Sequence, residues 1–170
     1  MRVSHLTGGA LVEAVAACKL DLGVLCPPPR LPGSVIITHR IEDAFVLIVP
    51  AGMAVPKEKA WRAWAAKQSW IVPPAGTRSR ACLDEWWEKS KGAPPVAMEL
   101  DSFDMTIQLV ALGMGVAFVP RRALSSFPRK RQIQRIKLTQ PMKRELAIIA
   151  PKRGTTPEHV REFIAGILFR

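Results

Sequence analysis

The sequence lacks the features that mark membrane-spanning and exported proteins. Its longest apolar runs, residues 44–55 and 109–119, have about a dozen residues each, whereas a membrane-spanning helix needs roughly 20. The first residues, MRVSHLTGG, lack the basic region followed by an apolar region that a secretory signal peptide requires. We therefore predict a soluble, cytoplasmic protein with no membrane partner.

Cysteine and histidine are scarce, which argues against metal, redox and catalytic sites. The three cysteines, Cys18, Cys26 and Cys82, form no CxxC pair, and zinc and redox motifs need that closer spacing. Cys18 and Cys82 fall on apolar stripes of predicted helices, where a free cysteine behaves as a small hydrophobic residue. The three histidines are far apart in sequence, and no pair of carboxylates has a spacing that demands acid–base chemistry. We predict no metal, no cofactor and no enzymatic activity.

Acidic residues are too few to balance the basic ones. The chain has 25 Lys and Arg against 14 Asp and Glu, a net charge of +11, and between residues 121 and 153 Glu145 is the one acidic residue. Such a field attracts polyanions non-specifically. No helix-turn-helix, zinc finger or basic strand with interleaved aromatics accompanies it. We interpret these residues as a solvated face, with an anion-attracting or DNA-facing role as the alternative.

Residues 94–120 have the pattern of a strand, a helix and a second strand. Residues 96–100 and 116–119 are short apolar runs, Ser102 can cap the helix between them, and Gly113 supplies a left-handed end. Two strands joined by such a helix are nearly always parallel. The turn that contains Ser102 then lies at the carboxyl end of a strand, where open α/β sheets bind ligands. The predicted apolar positions of the helix recur at i, i+4 and i+7: Met105, Leu109 and Leu112.

The other segments also alternate between strands and helices. Residues 1–5 are a predicted strand, and the helix after them has Leu11, Val15 and Cys18 on one side. Residues 155–158 are a capping signature that precedes an amphipathic helix. Further predicted strands are 22–25, 35–38, 44–49, 70–72, 145–150 and one that includes Ile133, Ile136 and Leu138; further predicted helices are 57–67, one capped by Thr77 or Ser79, and a short one after Pro120.

Three phrases of the chain, in their order, resemble the effector-binding half of LysR-type transcriptional regulators: CKLDLGVL, PPAGTRSR and LVALGMGVAFVP. The resemblance covers essentially the whole chain. It implies an α/β, two-lobed module of the type 2 periplasmic-binding-protein fold, whose lobes are interleaved because the chain crosses between them twice. Residues 1–50 and 143–170 would form the first lobe, and residues 51–142 the second.

The resemblance also indicates what the sequence does not contain. The family's first strand and helix of the first lobe have no counterpart, so that lobe is expected to be truncated and to expose apolar edges and faces. The helix-turn-helix that precedes them in the family is absent too. DNA would therefore be bound only through that absent segment, and a homo-oligomer is implied for the intact regulator.

The function implied by the resemblance is the sensing of a small, anionic metabolite in the cleft between the lobes. Helix amino termini favour a negative ligand because of their free N–H groups and the helix dipole. One such turn would face the cleft from the first lobe and two from the second, although each Ser or Thr could merely cap its helix. The predicted ligand-binding residues are Thr7, Gly8, Gly9, Thr77, Arg78, Ser79, Ser102 and Phe103.

Two other functions remain open at this point. A stand-alone solute-binding protein would use the same fold but would need an export signal. A basic nucleic-acid-binding module would use the charged stretch directly, and the logarithm of its affinity would fall linearly with the logarithm of salt concentration.

Overall fold

The computed structural model describes residues 2–56, 60–89, 95–137, 141–152 and 157–168. In this part of the chain no helix is both long and apolar enough to cross a membrane. The helices are α1 Gly8–Ala16, α2 Trp61–Ala65, α3 Arg78–Lys89, α4 Phe103–Ala111, α5 Arg121–Ser125 and α6 Glu158–Leu168. The strands are β1 Gly23–Leu25, β2 Val35–Pro50, β3 Trp70–Val72, β4 Val96–Glu99, β5 Ala117–Pro120, β6 Ile133–Ile136 and β7 Lys143–Pro151, and a 3₁₀ turn occupies Lys130–Gln132.

The chain divides into two compact units. The first consists of Met1–Glu42 and Glu145–Arg170, and the second is Asp43–Arg144. The paired strands β2 and β7 carry the chain from one unit to the other, because each of them includes residues of both. The boundaries predicted from the sequence lie at 50/51 and 142/143, and the assignment of lobes to those ranges stays a prediction.

The first unit is a small sheet with a helix on each face. Strands β1 and β7 are antiparallel, with Gly23 opposite Ile149. Successive residues of a strand point to opposite faces of its sheet, and the two helices follow that alternation. Helix α1 packs on the face that carries Ala147 and Ile149, through its buried residues Leu11, Val12 and Val15. Helix α6 packs on the face that carries Ile148, through Val160 and Ile164.

The second unit has a mixed sheet in the order β4-β3-β5-β2-β6. Strands β3 and β4 are parallel, and a parallel bridge between Trp70 and Val116 joins β3 to the start of β5. Strand β2 is antiparallel to both β5 and β6. Strands β4 and β5 therefore run in the same direction, with β3 between them, and the predicted strand–helix–strand unit is confirmed.

Aromatic packing forms one side of the core of this second unit. The Trp70 ring stacks on Phe118 with centroids 5.6 Å apart, and Trp87 meets Trp70 edge-on at 5.7 Å. The Trp70 indole Nε1 donates to the carbonyl oxygen of Ala65 at 2.9 Å, so its one polar atom is satisfied. The other side of the sheet is covered by α4, through the buried Ile107 and Val110.

Two glycines fix the connection from α4 to β5. Gly113 has a φ of +82°, and its N–H bonds to Val110 while that of Met114 bonds to Leu109, which is a Schellman termination. The left-handed end predicted at this glycine is confirmed. A Cβ on Gly115 would collide with the carbonyl oxygen of Ser69 and lie 3.1 Å from the Ile71 side chain. Gly115 therefore permits the close approach of β5 to β3.

Of the three apolar positions predicted for α4, Leu109 is partly buried against the core, whereas the other two are exposed. Met105 is 48% exposed and Leu112 is 68% exposed. The helix has a second apolar stripe with the same spacing, and this is the one that faces the sheet: Phe103, Ile107 and Val110. Periodicity alone cannot choose between two stripes of equal spacing, because only the tertiary contacts decide which face is buried.

Three predictions in the first part of the chain are wrong. Residues 2–6 are exposed and form no strand; an extended segment is stabilised only by a neighbour to pair with. Helix α1 ends at Ala16, so Cys18 is not on its apolar stripe but is exposed, with a left-handed φ of 56° at the position after the cap. The strands predicted at 35–38 and 44–49 are a single strand, β2.

Some predictions fall outside the described residues. These are the parts that concern Met1, residues 57–59 of the predicted helix 57–67, Leu138, and Thr155 and Thr156 of the capping signature. The described remainder of the last helix is amphipathic, with Val160 and Ile164 buried as predicted.

Candidate functional site

The Arg144 side chain is the centre of a polar group in the second unit. Its Nε donates to Oδ2 of Asp43 at 2.9 Å, and its Nη2 lies 2.8 Å from the same oxygen. Its Nη1 donates to the Ser79 hydroxyl oxygen at 2.5 Å. The ion pair is largely removed from water, since 13% of the Arg144 side chain and 2% of the Asp43 side chain are exposed. Two strand residues that are distant in sequence thus place a guanidinium against helix α3.

Two phenylalanine rings lie against this guanidinium and against each other. The Arg144 Cζ lies 5.0 Å from the centroid of the Phe45 ring and 5.2 Å from that of Phe103. The two rings also meet edge-on, with centroids 5.8 Å apart. Cation–π attraction of this kind strengthens when the cation is desolvated. We refer to Asp43, Phe45, Ser79, Phe103 and Arg144 as the Arg144 cluster.

The cluster lies at the amino termini of two helices. Ser79 is the second residue of α3, and Phe103 is the first residue of α4. The N–H groups of a helix's first turn have no partner within the helix, and the dipole places about half a positive charge there. The structure therefore brings a buried cation and two positive helix ends together within one unit.

Hydroxyl groups cap both helices, as the sequence indicates. The Ser102 hydroxyl accepts from the N–H of Met105 at 3.3 Å at the start of α4. The Thr77 hydroxyl accepts from the N–H of Arg80 at 3.2 Å and donates to the carbonyl oxygen of Pro74 at 2.8 Å. Of the two candidates for the α3 cap, Thr77 is the capping residue, and Ser79 is a buried residue inside the helix that accepts from Arg144.

The two arginines that follow Thr77 differ in their surroundings. Arg78, a predicted ligand-binding residue, is exposed at the first position of α3. Arg80 is held by the carboxylates of Glu99 at 2.7 Å and Asp84 at 2.9 Å. The hydrogen bond to Glu99, above all, raises the pKa of Arg80, with burial opposing it and Asp84 adding to it. The charge of Arg80 is therefore neutralised by these two carboxylates.

The remaining predicted residues lie in the first unit, at the start of α1. The backbone carbonyl of Thr7 accepts from Leu11 at 2.8 Å, but the Thr7 side chain makes no capping bond. Gly8 and Gly9 are exposed, and a Cβ on either would meet nothing within 4 Å. Their predicted part in a ligand site shared with the other lobe stays a prediction.

Asp43, Phe45 and Arg144 are members of the cluster that the sequence does not predict. Composition places Arg144 among the solvated basic residues, although in the structure it contacts four side chains, those of Asp43, Phe45, Ser79 and Phe103. A partial signal exists in the sequence: Asp43 directly precedes the apolar run 44–49, where an acidic side chain needs a partner. The identity of that partner, 101 residues further along, carries no local signal.

Potential metal ligands do not assemble in the described ranges. There, no group of three or more His, Cys, Asp or Glu side chains lies close enough to hold a metal ion. The ionisable chemistry of the second unit is therefore that of guanidinium, carboxylate and hydroxyl groups around the helix starts.

Comparison with known proteins gives a consistent set of relatives. The HTH-type transcriptional activator IlvY of Haemophilus influenzae is 28% identical over 163 residues, which are 91% of this chain and 54% of that protein. The chain thus spans about half the length of the curated relatives it matches. Those relatives are transcriptional regulators, not enzymes.

Two solved structures resemble the fold at low sequence identity. The regulatory domain of CcmR from Synechocystis PCC6803, solved with 2-PG, has a TM-score of 0.70 at 15% identity. The match covers 92% of this chain and 76% of the CcmR chain. The effector binding domain of QuiR, solved with shikimate, has a TM-score of 0.69 at 12% identity, over 95% of this chain and 76% of its own. The α/β, two-lobed fold class predicted from the sequence is confirmed by these likenesses.

A family model settles the relationship, because it extends over nearly every residue. The model described as the LysR substrate binding domain matches residues 1–168. The chain belongs to the LysR substrate binding domain family.

Proposed function

We propose that the chain senses a small, anionic metabolite for a LysR-type transcriptional regulator, and that its second unit binds the negative group at the starts of α3 and α4. The observation that carries the proposal is the Arg144 cluster. It combines a desolvated guanidinium with two helix amino termini, and both features favour an anion. Two relatives solved with small molecules, 2-PG and shikimate, support a small ligand for this chain.

Binding would act on transcription through conformational preference. A ligand shifts an equilibrium between two arrangements only by the difference in its affinity for them. We propose that the ligand biases the arrangement of this chain within the intact regulator. DNA contact would be made outside these 170 residues, since the curated relatives are HTH-type regulators of about twice this length.

Pairing between copies of the intact regulator is part of the same proposal, as is a location in the cytoplasm. Helix α4 supports pairing, because it leaves an apolar face exposed although its opposite face covers the sheet. Exposed apolar patches of this kind commonly mark protein–protein contacts. The large exposed apolar residues on and beside this helix are Met105, Leu112 and Met114.

A thermal-shift screen of small carboxylates, aromatic acids, sulfate and phosphate at one moderate salt concentration tests the proposal. All five tryptophans lie in the second unit, so intrinsic fluorescence reports the unfolding of the unit that carries the cluster. A ligand at about 100 times its Kd should stabilise the folded state by roughly 2.7 kcal/mol. We expect one class of acid to stabilise the protein saturably, and that ligand-induced shift to be smaller in Ser102→Ala than in the wild type.

Two results would contradict the proposal in different ways. Stabilisation by every polyanion, lost at high salt and unchanged in Ser102→Ala, would favour nucleic-acid binding by the exposed basic residues. The absence of a shift with any acid of the panel would reject an anionic effector for this chain.

A further inference from the structure

Arg144 differs from the other basic residues around it in sequence. Among the described basic residues from 121 to 152, every other side chain belongs to an exposed residue, whereas Arg144 is mostly buried. Its contacts with Asp43 and Ser79 account for three of the five N–H donors of a guanidinium. Donor capacity on Nη1 and Nη2 therefore remains for a planar, two-oxygen acceptor such as a carboxylate, the geometry that arginine matches best.

Asp43 is difficult to explain as a stabilising residue. Its Oδ1 is buried and has no hydrogen-bond partner among the described residues, while Oδ2 receives both contacts from Arg144. A buried ion pair whose remaining lone pairs are unsatisfied adds little or no stability compared with apolar residues of the same size. An incompletely satisfied buried carboxylate of this kind indicates a role other than stability.

The charges around the cluster determine how much negative charge a ligand can bring. The Arg144 and Asp43 charges cancel, and each of the two helix starts contributes about half a positive charge. Arg80 does not add to the sum, because Asp84 and Glu99 hold it. Arg78 at the first position of α3 and Asp104 in the first turn of α4 carry opposite charges, so the balance that remains is about one positive charge, which matches one carboxylate.

We infer that Arg144 binds the carboxylate of the ligand, and that Asp43 positions Arg144 and limits the site to a single negative charge. The inference rests on the function proposed above and narrows its ligand class to small monocarboxylates. Asp43 acts through Arg144 and through its own charge, so it is a positioning and specificity-determining residue.

The test compares a monocarboxylate with the corresponding dicarboxylate. Propionate with succinate, and benzoate with phthalate, are titrated into the whole chain and followed by NMR shifts of the backbone amides of α3 and α4. We expect the wild type to bind the monocarboxylate of each pair more tightly than the dicarboxylate. Arg144→Met should weaken its binding by about tenfold or more, the loss typical of a hydrogen bond to a charged group. Arg144→Lys should recover part of that loss, because lysine keeps the positive charge but lacks the two parallel N–H donors of a guanidinium.

The matched control is Arg40→Met. Arg40 also forms an ion pair between β2 and β7, with Glu145, but it lies in the first unit and its side chain is 57% exposed. Its removal should change the Kd of either acid by less than about twofold, as expected for an exposed pair. Circular dichroism melts of each variant show whether a loss of binding accompanies a loss of fold.

Asp43→Asn separates the charge effect from a structural one. It replaces the carboxylate with a neutral side chain of the same shape and so raises the charge of the site by one. A unit charge beside the bound ligand changes the relative affinity for monoanions and dianions by about tenfold. The ratio of the two dissociation constants should therefore shift toward the dicarboxylate, whereas a merely structural Asp43 would weaken both acids equally.

Each other outcome overturns a defined part of the argument. Unchanged monocarboxylate binding in Arg144→Met, together with weaker binding in Ser102→Ala, would reject the role of Arg144 and leave the proposed function standing. Equal weakening of both acids in Asp43→Asn would reject the charge limit. No saturable binding of any of the four acids to the wild type would overturn the inference, and the proposed function would fall with it if sulfate, phosphate and the other acids of the thermal screen also gave no shift.

Discussion

Each unit of this chain contains an ion pair that joins the same two strands, β2 and β7. In the first unit Arg40 of β2 pairs with Glu145 of β7, and their side chains are 57% and 47% exposed. In the second unit the polarity is reversed, because Asp43 of β2 pairs with Arg144 of β7, and those side chains are 2% and 13% exposed. Arg40 and Asp43 are three positions apart on β2, yet the first belongs to a solvated ion pair and the second to a buried ion pair.

The difference shows that burial and neighbours, more than the identity of the charged groups, decide what an ion pair does. An exposed pair gains little, because water and salt screen it and two long side chains must be ordered. In the buried pair, the Arg144 guanidinium also donates to the Ser79 hydroxyl and contacts the rings of Phe45 and Phe103. Its guanidinium is thereby fixed at two helix starts, which is the arrangement an anion-binding site needs.

The largest expected effect is the loss of the buried partner. Asp43→Ala leaves the Arg144 guanidinium without its counter-charge, and breaking one side of a buried pair typically costs about 3 kcal/mol or more. We expect the free energy of unfolding of the second unit to fall by about that amount. Urea denaturation followed by tryptophan fluorescence measures it, since urea, unlike guanidinium chloride, does not screen charges.

Glu145→Ala is the matched change in the exposed pair. Its effect should lie within about 1 kcal/mol, because the released Arg40 is already hydrated. Far-UV circular dichroism is the appropriate probe here, since the first unit contains no tryptophan. Similar losses for the two alanine variants would remove the distinction between the pairs.

Local signals in the sequence predict much of the second unit. Ser102 is the cap of α4, Gly113 has the left-handed conformation, and the strand at Trp70–Val72 has the predicted bounds. Each of these depends on a few neighbouring residues: a hydroxyl that reaches a first-turn N–H, a residue without Cβ, and a short run of buried apolar side chains. Features of this kind can be predicted because the residues that determine them are neighbours in sequence.

The parts that could not be predicted depend on contacts between distant segments. The sequence offers two equivalent apolar stripes on α4, and only the sheet beneath it selects Phe103, Ile107 and Val110. The Arg144 cluster is a stronger example, because its acidic and basic members are 101 residues apart and meet only when β2 and β7 pair. From composition Arg144 belongs with the solvated basic residues, since nothing beside it in sequence indicates burial.

Helix starts allow a second comparison of the two units, with a smaller expected effect. Ser102→Ala should destabilise the second unit by about 1 kcal/mol, because it removes the oxygen that accepts from the Met105 N–H. Thr7→Ala should cost no more than a few tenths of a kcal/mol, since the Thr7 side chain makes no capping bond. Urea denaturation with the two probes named above measures both. An equal cost at the two positions would show that Thr7 caps α1 in solution.

The smallest effect, and the finest test of the comparison, is the response of the two pairs to salt. Double-mutant cycles isolate the coupling energy of each pair: Arg40 with Glu145, and Asp43 with Arg144. At 1 M salt the Debye length is about 3 Å, so the exposed pair should lose most of a coupling of about 0.5 kcal/mol measured at low salt. The buried pair should keep most of its coupling, because ions cannot enter between groups that the protein already surrounds. Equal salt sensitivity of the two coupling energies would mean that water and ions reach Arg144 in solution. The guanidinium would then not be desolvated, and the proposed anion site would lose the observation on which it depends.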